Sequence, residues 1–155
     1  MHIYSFYMKK ALDQAWLAYK YNEVPVGAVI VNSNGTIIGT GYNAMIKNLD
    51  PSGHAEIIAM KKAASIISNY RLLECTLFVT LEPCMMCIGA SINARIKSIF
   101  YGTKDPKTGM IESRANLINQ PWHNHCINVE GGLLAIKSKR LLKKFFKMRR
   151  KIDNY

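Results

Sequence analysis

Long apolar runs, acidic residues and cysteines are all scarce in this sequence of 155 residues. No apolar run approaches the roughly 20 residues that a bilayer-spanning helix needs, so the sequence predicts no membrane helix. Residues 1–10 lack the basic-then-apolar order of a signal peptide, and we therefore expect a cytoplasmic protein. In that compartment the four cysteines favour metal or catalytic chemistry over disulfides.

Positive charge is what the sequence has in excess, and most of it lies at the C-terminal end. There are 21 Lys and Arg against ten Asp and Glu, which gives a formal net charge of +11. Residues 137–155 contain nine basic residues and one acidic residue, Asp153, so they carry +8 and the first 136 residues carry only +3. This asymmetry predicts that a polyanionic partner binds at one end of the molecule.

Helix-like and strand-like segments alternate along the chain, whose length and 49% hydrophobic content predict one globular domain, residues 1–155. Helical spacing covers residues 3–20, 54–68, 84–94 and a basic C-terminal helix at about 133–151, and strand-like runs cover 24–31, 36–42, 76–81, 96–101 and 126–129. The turn cluster at 32–35 predicts an antiparallel hairpin. Strands near residues 77 and 98 are separated by one helix, as in a parallel crossover. We therefore predict the α/β class, as a three-layer α/β/α sandwich with a mixed sheet of about five strands.

Two short clusters of potential metal ligands stand where two of the predicted helices begin. Residues 54–56 read His-Ala-Glu, and residues 83–87 read Pro-Cys-Met-Met-Cys. Cys84 and Cys87 are three residues apart and share one face of a first helical turn, where the helix dipole favours their thiolate form. Together with His54 they make three protein ligands, and three ligands plus water is the pattern of catalytic zinc.

Glu56 is the predicted proton carrier of this site. Two thiolates neutralise the charge of zinc, so we expect the metal to acidify water less than a site of histidines would. A neighbouring carboxylate that accepts the proton of water compensates for this deficit. Since residues two apart do not share a helix face, the spacing works only if His54 lies at the very start of the helix.

Several of these residues also have plainer interpretations. A Cys-x-x-Cys pair taken alone is also typical of thiol–disulfide redox chemistry. Cys75 and Cys126 each stand alone in a strand-like run, and we predict that both are buried small apolar residues. His123 and His125 precede Cys126, but no fourth ligand is at hand, so polar loop contacts or RNA contacts are favoured over a second metal site.

The combined pattern, His-x-Glu at 54–56 followed by Pro-Cys-x-x-Cys at 83–87, resembles the signature of the zinc-dependent nucleobase deaminases. Beyond the signature, the sequence closely resembles the bacterial tRNA-specific adenosine deaminases of this cytidine deaminase-like family over nearly its whole length. The resemblance rests on residues 23–29, 50–56, 70–72, 79–84, 105–109 and 145–150. Residues 110–113 depart from the family pattern, so we transfer no contact to them.

The resemblance implies a function and named roles. The members of that family convert the wobble adenosine of an arginine tRNA anticodon to inosine as homodimers, with one zinc ion per subunit. By analogy, His54, Cys84 and Cys87 would hold Zn²⁺, and Glu56 would move protons from water to the purine ring and to the departing ammonia. The resemblance also implies that Asn43 contacts the base and that the loop containing Asp105 meets a flanking nucleotide. Turn-forming roles are the alternatives for both Asn43 and Asp105.

The basic C-terminal helix is the candidate docking element for tRNA. Phe145 and Phe146 lie inside the run of charge and are predicted to stack on splayed bases, while Arg149 and Arg150 are predicted to contact phosphates. A solvated charged face is the alternative. Two other functions also remain open: deamination of a free nucleoside or base such as cytidine or guanine, and a non-catalytic zinc-stabilised RNA-binding subunit.

Overall fold

The structure is a computed structural model that describes residues 3–152, so the last three residues of the basic run 137–155 lie outside it. Its elements, in chain order, are α1 (Ile3–Lys20), β1 (Gly27–Val31), β2 (Ile37–Tyr42), α2 (Met45–Asn48), α3 (Ala55–Ile67), β3 (Thr76–Leu81), α4 (Met85–Asn93), β4 (Ser98–Thr103), β5 (Asn128–Gly131) and α5 (Ala135–Ile152). The sequence did not predict α2, because four residues are too few to show a helical period. None of the described helices is long and apolar enough to cross a membrane.

The five strands form one mixed sheet, as predicted, and their order in the sheet is β2-β1-β3-β4-β5. Strand β1 is antiparallel to both of its neighbours, whereas β3, β4 and β5 are parallel to one another. Because α4 connects β3 to β4, the carboxyl ends of the parallel strands meet at one edge of the sheet. The start of β1 and the end of β2 lie at that same edge, where Gly27 is opposite Tyr42.

Alternate residues of the central strands face two different helix layers, as the pleat of a strand requires. Ala28 and Ile30 of β1 belong to a core cluster that includes residues of α3 and α4. Val29 and Val31 point the other way, into a cluster that includes residues of α1. Helix α5 contacts β4 and α1 on this second side. The predicted three-layer α/β/α architecture is therefore confirmed.

Two glycines in β2 allow α3 to lie unusually close to the sheet. A Cβ atom on Gly39 would stand 2.2 Å from the carbonyl oxygen of Ala59, and one on Gly41 would stand 2.2 Å from that of Ala55. Any side chain at either position would push the helix away. The glycines thus fix the distance between the sheet and the first turn of α3. This turn contains Glu56 and begins directly after His54.

Candidate active site

His54, Cys84 and Cys87 meet at the sheet edge where α3 and α4 begin. His54 is the N-cap residue of α3 and has extended backbone angles (φ −75°, ψ 151°), and Cys84 is the N-cap residue of α4. His54 Nδ1 lies 3.5 Å from the Sγ atom of Cys84 and 3.5 Å from that of Cys87. Within residues 3–152, these three form the one group of His, Cys, Asp and Glu side chains that could hold a metal ion.

The geometry and the donor chemistry of this cluster fit a zinc ion. In a tetrahedral site with Zn–N and Zn–S bonds of roughly 2.0 and 2.3 Å, a nitrogen and a sulfur ligand are about 3.5 Å apart. That is the separation between His54 Nδ1 and both sulfur atoms. Two thiolates and one imidazole leave the fourth tetrahedral position without a protein ligand from the described residues, as in catalytic zinc sites.

The protonation states of the two cysteines are coupled in the absence of metal. A hydrogen bond from the Cys87 thiol, together with His54, lowers the pKa of Cys84 to about 4. The same hydrogen bond and burial raise the pKa of Cys87, and the bond to Cys84 raises that of His54. Zinc binds cysteine as thiolate, so binding of zinc to both sulfur atoms would release the protons that the thiols carry.

Glu56 lies beside the cluster and is almost completely buried, with 4% of its surface exposed. Burial raises the pKa of its carboxyl to about 7, although its own backbone N–H and the neighbouring His54 act in the opposite direction. A carboxyl group with a pKa near neutrality can both accept and return a proton at physiological pH. The structure therefore places the buried Glu56 carboxyl beside the three candidate metal ligands, at the position where the sequence analysis expected a proton carrier.

Asn43 follows the end of β2 and is buried against the start of α3. Its Oδ1 atom accepts a hydrogen bond of 3.0 Å from the N–H of Ala55, the residue between His54 and Glu56. The bond satisfies a free N–H in the first turn of α3, where the His54 side chain makes no capping bond and meets the cysteines instead. The oxygen of the Asn43 amide is thus engaged by α3, while its Nδ2 group is the donor of the side chain.

Glu82 is a site residue that the sequence analysis did not single out. Glu82 lies between the last residue of β3 and Pro83, and only 2% of its surface is exposed. Its carboxylate accepts hydrogen bonds from residues of the loop that follows β4. The donors are the N–H groups of Asp105 (3.0 Å), Ile111 (3.1 Å), Glu112 (2.8 Å) and Ser113 (3.0 Å) and the Ser113 hydroxyl. Although burial opposes ionisation, these donors hold the pKa of Glu82 below its usual range.

The loop from 105 to 113 is thereby fixed against the segment that carries Cys84. The N–H of Met110 also donates to the Pro83 carbonyl at 3.0 Å. Gly109 has no room for a side chain, since a Cβ atom there would stand 2.4 Å from Glu82 Oε2. Asp105 stabilises its own turn by accepting hydrogen bonds from the Lys107 N–H (2.9 Å) and the Thr108 hydroxyl (2.7 Å). The available signal in the sequence was an acidic residue between the apolar strand 76–81 and Pro83.

Replacing Glu82 by Gln is expected to loosen this loop while zinc stays bound. The amide offers one acceptor oxygen and turns an NH₂ donor toward backbone N–H donors, so buried groups lose their partners. We expect the free energy of unfolding to fall by about 2–3 kcal/mol. Hydrogen exchange followed by mass spectrometry should show faster exchange in residues 105–113.

The control is Glu74→Gln, which makes the same chemical change in an exposed carboxylate paired with Lys97. An exposed ion pair contributes little, so stability should change by less than about 1 kcal/mol. Unaltered exchange in residues 105–113 of Glu82→Gln would show that the carboxylate does not hold the loop.

The basic C-terminal helix divides its two phenylalanines between the interior and the solvent. Phe145 is 3% exposed and its ring packs edge-on against Tyr19, with centroids 6.1 Å apart. The prediction that Phe145 stacks on a base is therefore wrong, because the residue anchors α5 to α1. Phe146 is 43% exposed, and Arg149 and Arg150 are exposed in the last turn of α5.

Within residues 3–152, the other cysteines and histidines lie outside the metal-ligand cluster. Cys75 is buried, as predicted, whereas Cys126 is exposed, so the prediction for Cys126 is wrong. Cys126 lies just before β5, a strand at the edge of the sheet where one side is left open. His123 and His125 each make a 2.7 Å hydrogen bond to a backbone carbonyl, those of Leu117 and Ile96 respectively.

Comparisons with known proteins agree with this geometry. Residues 1–103 match the family described as the cytidine and deoxycytidylate deaminase zinc-binding region. The tRNA-specific adenosine deaminase of Haemophilus influenzae is 47% identical over 92% of this chain and 83% of its own length. A solved structure from a study of A-to-I editing by tRNA:A34 deaminases at the wobble position superposes with a TM-score of 0.84 and 38% identity, covering 88% of this chain and 98% of that one. A guanine deaminase from Bacillus subtilis superposes with a TM-score of 0.62 and 32% identity, covering 79% of this chain and 81% of that one.

Proposed function

The chain belongs to the cytidine and deoxycytidylate deaminase family, and from this premise we propose that it hydrolyses the wobble adenosine of a tRNA anticodon to inosine. The observation that carries the proposal is the buried Glu56 carboxyl beside a three-ligand cluster that fits zinc. The likeness to tRNA adenosine deaminases over most of the chain supports the choice of substrate.

In the proposed mechanism His54, Cys84 and Cys87 hold one zinc ion per subunit. When bound, zinc supplies a Lewis acid that lowers the pKa of water. The Glu56 carboxylate accepts the first proton of the attacking water and delivers it to the purine nitrogen next to the carbon that bears the amino group. Glu56 then carries the second proton to the amino group, which leaves as ammonia, so that adenosine and water yield inosine and ammonia. The Nδ2 group of Asn43 donates to the base and orients it.

We further propose which parts of the surface meet the RNA. Asp105 contacts a nucleotide beside the adenosine, a role that is supported by its place in the loop that Glu82 fixes next to Cys84. Phe146 offers an exposed ring for stacking, and Arg149 and Arg150 offer charges for phosphates. An arginine tRNA is the proposed substrate and the cytoplasm, where tRNA is used, the proposed location. Residues 1–155 act together as one deaminase domain.

A homodimer is the proposed assembly. Exposed apolar side chains occur on α2, which precedes His54, and on α4, which contains Cys87: Met45 and Ile46 on α2, and Met85 and Met86 on α4. Exposed apolar surface of this kind is typical of protein interfaces. Sedimentation or light scattering of the purified protein measures the assembly directly.

The principal alternative to the proposed function is deamination of a free base or nucleoside, because the chain is similar to a guanine deaminase. Rates measured on different substrates distinguish the two functions. We expect the purified protein to deaminate an anticodon stem-loop with a kcat/KM at least about a hundred times that for free adenosine, guanine or cytidine, because a free base or nucleoside lacks the flanking nucleotides and phosphates that the proposed contacts bind. Higher turnover of a free base than of the stem-loop would refute the proposal.

Replacing Arg149 and Arg150 together by Gln is expected to weaken tRNA binding and to flatten its salt dependence. Each phosphate contact on single-stranded RNA contributes about 0.7 to the slope of log K against log salt, so two lost contacts should reduce that slope by about 1.4. Fluorescence anisotropy titrations at several salt concentrations measure the slope. The control pair Lys61→Gln and Lys62→Gln removes two exposed charges from α3 and should leave the slope almost unchanged. Equal slopes for the two double variants would count against the role of α5.

A further inference from the structure

Two tyrosines and a lysine form an ordered aromatic surface that the mechanism does not use: Tyr21, Tyr42 and Lys47. The Tyr21 and Tyr42 rings are parallel to within 11°, with centroids 5.8 Å apart. Lys47 Nζ lies 4.1 Å from the centroid of the Tyr21 ring and donates a 2.9 Å hydrogen bond to the Tyr42 hydroxyl. Tyr21 is 52% exposed and Lys47 is exposed. We name this group the Tyr21–Tyr42–Lys47 surface.

Three separate elements hold this surface in place. Tyr21 stands directly after α1, Tyr42 is the last residue of β2, and Lys47 belongs to α2. Successive side chains of a strand point to opposite faces of the sheet. Since the preceding residue, Gly41, faces α3, the side chain of Tyr42 points toward the layer of α1. The backbone N–H of Lys47 donates a 2.8 Å hydrogen bond to the buried carboxylate of Glu23. Because its parts are already ordered, binding a ligand there costs little conformational entropy.

The Tyr21–Tyr42–Lys47 surface adjoins the catalytic cluster on one side. Asn43 directly follows Tyr42, and its Oδ1 atom accepts the hydrogen bond from Ala55, the residue between His54 and Glu56. Tyr42 is the last residue of β2 and pairs with Gly27, so it lies at the same sheet edge as the starts of α3 and α4.

The basic end of α5 adjoins the same surface on its other side. Phe145 packs on Tyr19, two residues before Tyr21, and the Tyr19 hydroxyl lies 3.7 Å from the sulfur atom of Met148. Lys144 Nζ lies 5.1 Å from the centroid of the Trp16 ring and 5.3 Å from that of Tyr19. Tyr21 therefore follows directly on the end of α1 that contacts α5.

We propose that the Tyr21–Tyr42–Lys47 surface binds a nucleotide of single-stranded RNA that flanks the reacting adenosine. The inference rests on the proposed function and deepens it. The Tyr21 ring stacks on the base, and the Lys47 ammonium neutralises the adjoining phosphate. Single-stranded RNA is the matching ligand, because its unstacked bases expose their faces to aromatic side chains while its phosphates attract lysine. The buried Glu23 carboxylate, the acid nearest in sequence to Tyr21, is engaged by the Lys47 backbone rather than turned toward the ligand.

Tyr21→Ala tests the stacking contact. A base stacked on an aromatic ring contributes about 1–3 kcal/mol, so we expect KM and Kd for an anticodon stem-loop to rise about tenfold. We expect kcat to stay within about twofold, since the ring touches no reacting atom, and Tyr21→Phe to keep the wild-type KM. Lys47→Gln should reduce the salt slope of binding by about 0.7. The control is Phe6→Ala, which removes an exposed ring about 22 Å away along α1 and should leave KM unchanged.

The readouts separate failure of this inference from failure of the proposed function. Kd is measured by fluorescence anisotropy alongside KM, so an enzyme inactive on RNA still reports whether Tyr21 contributes to binding. Equal Kd values for the wild type and Tyr21→Ala, with zinc content and circular dichroism unchanged, would overturn the inference whatever the activity. An active wild type with that result would leave the proposed function intact.

Discussion

Glu56→Gln is expected to lower the rate of inosine formation by about a hundred- to ten-thousand-fold, the range that general acid–base catalysis contributes. The amide is nearly the same size as the carboxyl but cannot accept a proton from water or return one to the leaving amino group. Since Glu56 is buried beside the cluster and is not one of the three proposed ligands, zinc content should remain close to one per chain. Single-turnover assays on an anticodon stem-loop, with metal analysis of the same sample, measure both quantities.

The matched control is Glu130→Gln, the same change at an exposed position of β5, which should keep the wild-type rate. An active Glu56→Gln protein with normal zinc content would eliminate Glu56 as the proton carrier. An active variant could also mean that a contaminating enzyme supplies the activity of both samples. In that case the alternative of a non-catalytic RNA-binding subunit would be favoured.

Cys87→Ser is expected to remove bound zinc and with it all measurable deaminase activity. A serine hydroxyl is a harder ligand than a thiolate and stays protonated at neutral pH, so only two of the three ligands would remain. The zinc ion would join His54 at the start of α3 to Cys84 and Cys87 at the start of α4, so its loss removes a cross-link between the two helices. Cys87 itself is fully buried. We therefore expect a lower melting temperature as well as a zinc content near zero.

Cys126→Ser is the control for this experiment, because Cys126 is an exposed thiol outside the cluster. It should keep zinc, activity and melting temperature. The redox interpretation of Cys84 and Cys87 predicts instead that the purified wild type contains no zinc and catalyses thiol–disulfide exchange. Elemental analysis of the wild-type protein distinguishes the two interpretations.

Local sequence patterns were sufficient for most of the architecture. The helical spacing of residues 3–20 and the β-branched run at 76–81 matched α1 and β3 at both ends, since their periods and flanking residues are local signals. His54 was predicted at the start of α3 from its spacing to Glu56 alone, and the structure has it as the N-cap residue. The cluster of metal ligands could be predicted because its three residues lie at the starts of two helices, and both helices begin at the same edge of the sheet.

Contacts between segments distant in the chain could not be predicted in the same way. Nothing near Glu82 in sequence shows that its carboxylate accepts hydrogen bonds from residues more than 20 positions away. The adjacent rings of Phe145 and Phe146 are alike in sequence, and their different exposure depends on how α5 docks on α1. The prediction for Cys126 was wrong because the strand-like run at 126–129 included it in a strand, whereas β5 begins at Asn128 and Cys126 lies exposed before it.

The most direct test of the central claim is to map inosine in a full-length tRNA after incubation with the purified, zinc-containing protein. Reverse transcription reads inosine as guanosine, so each converted adenosine appears as a sequence change. We predict conversion at the wobble adenosine, little change at other adenosines, and none with Glu56→Gln. Absence of inosine from the tRNA, together with release of ammonia from free guanine or cytidine, would contradict the account.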